Sequence, residues 1–227
     1  LIVGPNGDYT VKSSEDLYTN NDMLSKLLLA YEEKCMNKKT LIFNNGINTS
    51  LIVYDTFKNA GFQIKHLDNT ATKKDRADIL KWFKKKPNAI LTSVSILTTG
   101  FDEPTVESIL INRATKSLTL YYQMIGRGSR ILDNKLTFDV IDLGNNFYRF
   151  GEWGSDINWQ QIFKFPDNYL DNVISDEEIE SRFRYELPEE VQLLFANSKN
   201  LYFDVNEVYV DSIRNGKSSK IVLQKAI

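Results

Sequence analysis

The chain has 227 residues, 42% hydrophobic and 26% charged, with a formal net charge of −2. That balance describes a globular protein able to bury a full core. It excludes a free-standing nucleic-acid binder held by a broadly basic surface, though not a local phosphate-contacting groove. A single cysteine, Cys35, excludes an internal disulfide and a cysteine metal cluster, and it reads as a core filler in a reducing, cytoplasmic setting.

No window approaches the roughly 18 consecutive apolar residues of a membrane span. The opening LIVGPNGDYTVKSS has no initiator Met, basic leader or long apolar core, so it is not a secretory signal; residues 1–20 are expected to be a linker entering from an upstream domain. From Asn21 or Asp22, the apolar positions Met23, Leu24, Leu27, Leu28 and Tyr31 recur at helical spacing behind a capping residue. Leu41–Phe43 reads as a buried strand, Asn44–Ser50 as a polar turn, and Leu51–Ala60 as a helix stopped by Gly61. Phe62–Leu67 is the next strand. His66, the only histidine, is expected to be a structural residue at its end, and neither a histidine metal site nor a Ser-His triad is expected. Asn69 is a residue type that can take left-handed backbone angles. The Lys and Arg run from Lys73 to Lys86 predicts a solvated helical face.

The segment 90–130 carries most of the functional information. An apolar run, Ala89–Leu91, feeds the block TTGFDEP (Thr98–Pro104), and a strand over Val106–Ile111 leads to a helix over Leu118–Ile125 and the block QMIGRGSR (Gln123–Arg130). This order places the Asp102 loop and the arginines at one edge of a parallel sheet, the edge where α/β proteins bind ligands. Arg127 and Arg130, three apart and flanked by Gly126 and Gly128, form a candidate phosphate clamp: guanidinium groups stay charged and offer a planar fork of donors, and the glycines let a phosphate or a neighbouring domain approach. Arg113 reads as a structural ion-pair partner more than a nucleic-acid contact. Leu136–Leu143 is the last strand, closed by Gly144–Asn146. Beyond Phe150, Trp153, Trp159, Phe163, Phe165 and Tyr169 followed by acidic helical material predict a C-terminal extension, residues 151–227, packed through its aromatics.

Together the blocks resemble motifs V and VI of superfamily 2 helicases and translocases, in the C-terminal of their two RecA-like domains. The spelling is nearest to the branch of restriction-enzyme motor subunits and XPB-like DNA-repair helicases. The matching residues are Thr98, Gly100, Phe101, Asp102 and Pro104, then Arg113, Thr115 and Ser117, then Gln123, Gly126, Arg127, Gly128 and Arg130. The resemblance implies an α/β, RecA-like domain over residues 21–150, with a mainly parallel sheet and helices on both faces. It implies ATP with Mg2+, held mainly by an upstream RecA-like domain, and DNA as the track, with RNA left open and no membrane partner. By the same carry-over Arg130 is the arginine finger, aided by Arg127 and Gln123, and Gly100, Asp102 and Gly126 face the nucleotide. Asn44 and Asn45 (in the position of motif IV), Thr70, Thr98 and Thr99 become candidates for nucleic-acid contact; turn and cap duty is the competing use of the asparagines.

The chain contains no G-x-x-x-x-G-K-[ST] sequence and no D-E-A-H-like block. The NGKSS at Asn215–Ser219 is not a phosphate loop, because Asp211 stands where a glycine is needed. This fragment alone is therefore expected to be inactive. A non-catalytic module on the same fold is the alternative reading. A Rossmann-type enzyme is disfavoured, since no strand is followed by G-x-G-x-x-G.

Overall fold

The computed structural model describes residues 1–94, 101–133, 135–154 and 156–164. They fall into two units, Leu1–Ile157 and the chain from Asn158. In the first, five strands form an all-parallel sheet: β1 (Thr40–Asn44), β2 (Ile64–Leu67), β3 (Ile90–Val94), β4 (Ser108–Asn112) and β5 (Asp139–Asp142), in the spatial order β2-β3-β1-β4-β5. The expected parallel sheet is observed. Described residues of the second unit form one short helix, Trp159–Lys164.

The central strands read as continuous apolar runs because both faces are covered. Leu41, Phe43, Leu91, Ile109 and Ile111 point to one face and meet Phe83 of α4 (Lys73–Lys85) and Tyr121, Met124 and Ile125 of α5 (Leu118–Ile125). The alternate residues Ile42, Ile90 and Leu110 point to the other, against Leu27 and Tyr31 of α2 (Asn21–Lys34) and Val53 and Phe57 of α3 (Ile47–Asn59). Burying each such side chain contributes roughly 1.5–3 kcal/mol. Cys35 is a buried free thiol in the second of these clusters. Among the described residues no helix is long and apolar enough to cross a membrane.

Helix ends follow local chemistry. The Asn20 side chain accepts from the Met23 amide to start α2, and Gly61, at φ +89°, ends α3 with the left-handed turn that glycine allows. α3 begins earlier than expected: the turn after β1 is only Asn45–Gly46, and Thr49 and Ser50 are buried on the helix. Asn69 is not among the non-glycine residues with positive φ; those are Asn37 and Asn145.

Residues 1–20 are not an open linker. Thr10 caps a helix, α1 (Val11–Tyr18), and Tyr9 and Tyr18 are buried. The Asp8 carboxylate fastens this segment to the body. It accepts from Arg113 Nη2 at 3.2 Å, Thr115 Oγ1 at 2.8 Å and the Lys116 amide at 2.8 Å. Beyond β5 the Gly144–Asn146 turn continues into α6 (Asn146–Phe150). Trp153 packs at 6.0 Å from Phe138 and 6.4 Å from Tyr122, ring centre to ring centre. The remaining calls on the extension, from the Phe163 side chain through Phe165 and Tyr169 to the acidic stretch, lie outside the described residues.

Candidate functional site

The two sequence blocks do meet, but not where strand order alone places them. α5 runs antiparallel to β4, so the residues after it return to the end of the sheet where strands begin. Gly128 marks the spot: a Cβ there would lie 2.4 Å from Phe138 Cδ2 and 2.9 Å from Ile109 Cγ1, near the start of β4. What this glycine admits is the domain's own core, not a phosphate. Gly126 ends α5, its amide bonded to the Tyr122 carbonyl at 2.9 Å.

Arg127 is half-buried and donates through Nη1 to the Phe101 carbonyl at 2.5 Å. Burial lowers its pKa, the neighbouring Arg130 charge lowers it further, and Asp102 opposes both. Arg130 lies outermost. Its Nε is 3.4 Å from Asp102 Oδ1, with 50% of the Arg130 side chain and 74% of the Asp102 side chain exposed. Such a pair is screened by water and exchanges partners at little cost. Gln123 is half-buried on α5. Gly100, Thr98 and Thr99 lie outside the described residues. The cluster thus offers one fixed and one exposed guanidinium beside an exposed carboxylate, a donor set suited to a phosphate group shared with another surface.

At the other end of the sheet the sequence-chosen polar residues are engaged with one another. Asn44 is fully buried; its amide donates to Thr92 Oγ1 at 2.8 Å and the Ser93 carbonyl at 3.3 Å, while its oxygen accepts from Asn112 Nδ2 at 2.9 Å. With both amide hydrogens used, Asn44 acts as a tie across β3, β1 and β4. Asn45 is half-buried and donates to Ser14 Oγ at 2.7 Å, which fixes α1. α3 starts without a side-chain cap, and Glu15 packs against Gly46, so that a Cβ on Gly46 would lie 2.5 Å from Glu15 Oε1. A carboxylate there suits the positive end of the helix and stands where a phosphate would be drawn. Asn45, Asn48, Asn69 and Glu15 line an open groove of 790 Å³.

The same edge corrects the expectation about His66. One histidine suffices for a Ser-His-Asp arrangement: His66 Nδ1 lies 2.9 Å from Ser50 Oγ and Nε2 lies 2.8 Å from Asp68 Oδ2. It is not a nucleophile site, because Ser50 is fully buried and its hydroxyl is 2.9 Å from Thr92 Oγ1. The chain Asp68, His66, Ser50, Thr92, Asn44, Asn112 therefore links β2, α3, β3, β1 and β4 by side chains. Thr70, at the surface, donates to Asp68 Oδ1 through its hydroxyl at 2.6 Å and its amide at 2.7 Å. Burial pushes the Asp68 carboxyl up, but the bonds from Thr70 and His66 outweigh it and hold the pKa at about 2. Thr72 is occupied as the cap of α4, accepting from the Asp75 amide.

Arg113 is buried, paired with Asp8, and structural. Residues that the sequence reading passed over support it. Asn146 donates to the Arg113 carbonyl and accepts from the Thr115 amide, both at 2.8 Å. Asp142, its pKa raised by burial, accepts from the Gly144 and Phe147 amides and from Asn146 Nδ2. A Cβ on Gly144 would lie 1.9 Å from the Arg113 carbonyl oxygen, so only glycine fits. The signal was present as D-x-G-x-N, read there as a turn.

Known proteins resemble this chain in sequence and in fold. The helicase conserved C-terminal domain family matches residues 19–132. IRC3 of Saccharomyces cerevisiae, named as an ATP-dependent helicase, is 31% identical over 124 residues, 54% of this chain and 18% of the relative. A 51.5 kDa protein of a Lactococcus phage is 25% identical over 159 residues, 70% of this chain and 35% of the relative. Among solved structures, a fragment of an HsdR subunit of a type I restriction enzyme from Vibrio vulnificus superposes with TM-score 0.55 at 22% identity, covering 63% of this chain and 31% of that one. The chain thus spans about a third or less of these relatives. With a matched region that takes in β1 to α5 and both arginines, the chain belongs to the helicase conserved C-terminal domain family, the RecA-like second domain of superfamily 2 helicases.

Proposed function

We propose that this chain is the second motor domain of an ATP-dependent superfamily 2 DNA helicase or translocase, and that residues 21–150 form that domain. In this reading it supplies an arginine finger to ATP and Mg2+ bound mainly by an upstream RecA-like domain. The observation that carries the reading is the exposed Arg130 beside Asp102, with Arg127 held to the same loop by the Phe101 carbonyl. The donor set fits a phosphate: two guanidiniums, one already at the surface and held only by a solvent-screened partner.

ATP, when bound, supplies the phosphoanhydride whose cleavage drives movement. This chain's part is electrostatic. Arg130 turns from Asp102 toward developing charge on the terminal phosphate, and Arg127 keeps the loop in place while it does so. A finger of this kind is worth roughly a thousandfold or more in turnover. Gln123 and Gly126 hold the base of the clamp, and Asp102 and Gly100 border the nucleotide. Thr70, at the surface beside the groove, together with Asn45, Thr98 and Thr99, forms the domain's share of the nucleic-acid track. The chain by itself hydrolyses no ATP, having neither a phosphate loop nor an acidic metal-binding block in its sequence.

DNA-stimulated ATPase of the full-length protein, with and without Arg130→Ala, tests the proposal. Near-complete loss with a retained fold is expected. An unchanged rate would favour a non-catalytic module, in which the Arg130–Asp102 and Arg127–Phe101 contacts are merely structural.

A further inference from the structure

Several contacts join the Phe101–Val106 stretch to the segment after α5. Two of them use the arginines themselves: Arg127 to the Phe101 carbonyl and Arg130 to Asp102. Another is made by Lys135. Its Nζ donates to the Pro104 carbonyl at 2.7 Å, the Val106 carbonyl at 3.0 Å and the Gly128 carbonyl at 2.8 Å. An ammonium has three hydrogens, and here three carbonyls from two separate stretches take them. The lysine is set in place by its own backbone, whose amide bonds to the Leu132 carbonyl at 2.9 Å.

This division has a mechanical consequence. When Arg130 turns toward a phosphate it releases Asp102, and that contact between the two stretches is lost. The Lys135 contact does not depend on the exchange. We infer that Lys135 is a positioning residue, a three-carbonyl staple that keeps the Asp102 loop and the Arg127–Arg130 segment in register while Arg130 changes partners. The inference rests on the motor reading for its catalytic meaning, not for the staple itself. Burial lowers the pKa of Lys135, with Glu107 opposing, as expected of a cation that gives up water for carbonyls. Arginine is a poor substitute, because its planar fork cannot send three hydrogens to three converging acceptors from one atom.

The test uses the full-length protein carrying Lys135→Met, which keeps the stem and removes the donors, and Lys135→Arg, which keeps the charge. Amide hydrogen exchange should rise at residues 101–107 and 127–130 together in both variants, while β1 and β2 keep their protection. DNA-stimulated kcat should fall about a hundredfold in Lys135→Met, the scale of a slight misplacement of catalytic groups, with KM for ATP little changed. Unchanged exchange in either stretch overturns the inference. So does raised exchange with wild-type kcat, which would make the lysine structural only. If Lys135→Met does not fold, Lys135→Arg decides: wild-type kcat and exchange in that variant mean that charge alone suffices and the staple is wrong. Should Arg130→Ala leave turnover intact, the motor reading fails while the exchange result still decides whether Lys135 joins the two stretches.

Discussion

The two ends of the parallel sheet treat polar side chains in opposite ways. Where the strands begin, Arg127 and Lys135 are held by backbone carbonyls, and Arg130 and Asp102 face water. Where the strands end, Asn112, Asn44, Thr92, Ser50, His66 and Asp68 hold one another, largely out of reach of solvent. Residue types that look equally suited to phosphate in the sequence thus differ in what they have left to give. A donor whose hydrogens are all taken inside the fold stabilises; a donor with an exposed, exchangeable partner can bind. Spare hydrogen-bonding capacity, more than residue type, separates the two edges.

The sharpest way to break this contrast is Arg130→Ala. Turnover of the full-length protein should drop by a thousandfold or more, about 4 kcal/mol in the barrier. The thermal midpoint should hardly move, since the lost ion pair is solvent-exposed. A large stability loss with intact turnover would make the two edges alike. Asn44→Ala should do the reverse: it takes a buried partner from Thr92, the Ser93 carbonyl and Asn112, at a cost of about 3 kcal/mol read from urea unfolding. A neutral result there would mean that the closed edge is not held by its side chains.

Acid sharpens the contrast further. The Asp68 carboxyl, held at about 2 in the folded protein, has an ordinary value near 4 when unfolded. A depressed folded-state pKa contributes stability that is complete above about pH 4 and is lost as the pH falls toward 2, on the order of 2 kcal/mol. Asp68→Asn should flatten the stability profile across that window, followed by circular dichroism; an undiminished slope would assign acid unfolding to other carboxylates. The smallest effect belongs to the exposed pair of Lys38 and Asp139 at the opening edge. There Asp139→Asn should cost under about 1 kcal/mol, and less in high salt.

Much of the fold was legible because it is written locally. Asn20 before the α2 periodicity, Gly61 after α3, and the apolar runs of β1, β3 and β4 each announce an element with nearby residues alone. The arginines and the Asp102 block were legible as motifs, and their meeting was foreseen. The end of the sheet at which they meet was not, because it depends on α5 returning antiparallel to β4 before Arg127 appears. The ties made by Asn44 were not legible for a related reason: its partners Thr92 and Asn112 are 48 and 68 residues away. Lys135 and Asp8 were passed over altogether, since a lone lysine or aspartate carries no pattern until its remote acceptors or donors are in place.

The clamp at Asp8 gives the way into this domain a particular character. Asp8 grips Arg113, Thr115 and Lys116, the residues directly ahead of α5, whose far end bears the clamp arginines. Tension applied to the chain ahead of Asp8 would therefore be borne where β4 passes into α5, by the end of the strand and the head of the helix together. The lead-in to the domain thereby acts less like slack rope than like a pull-rod.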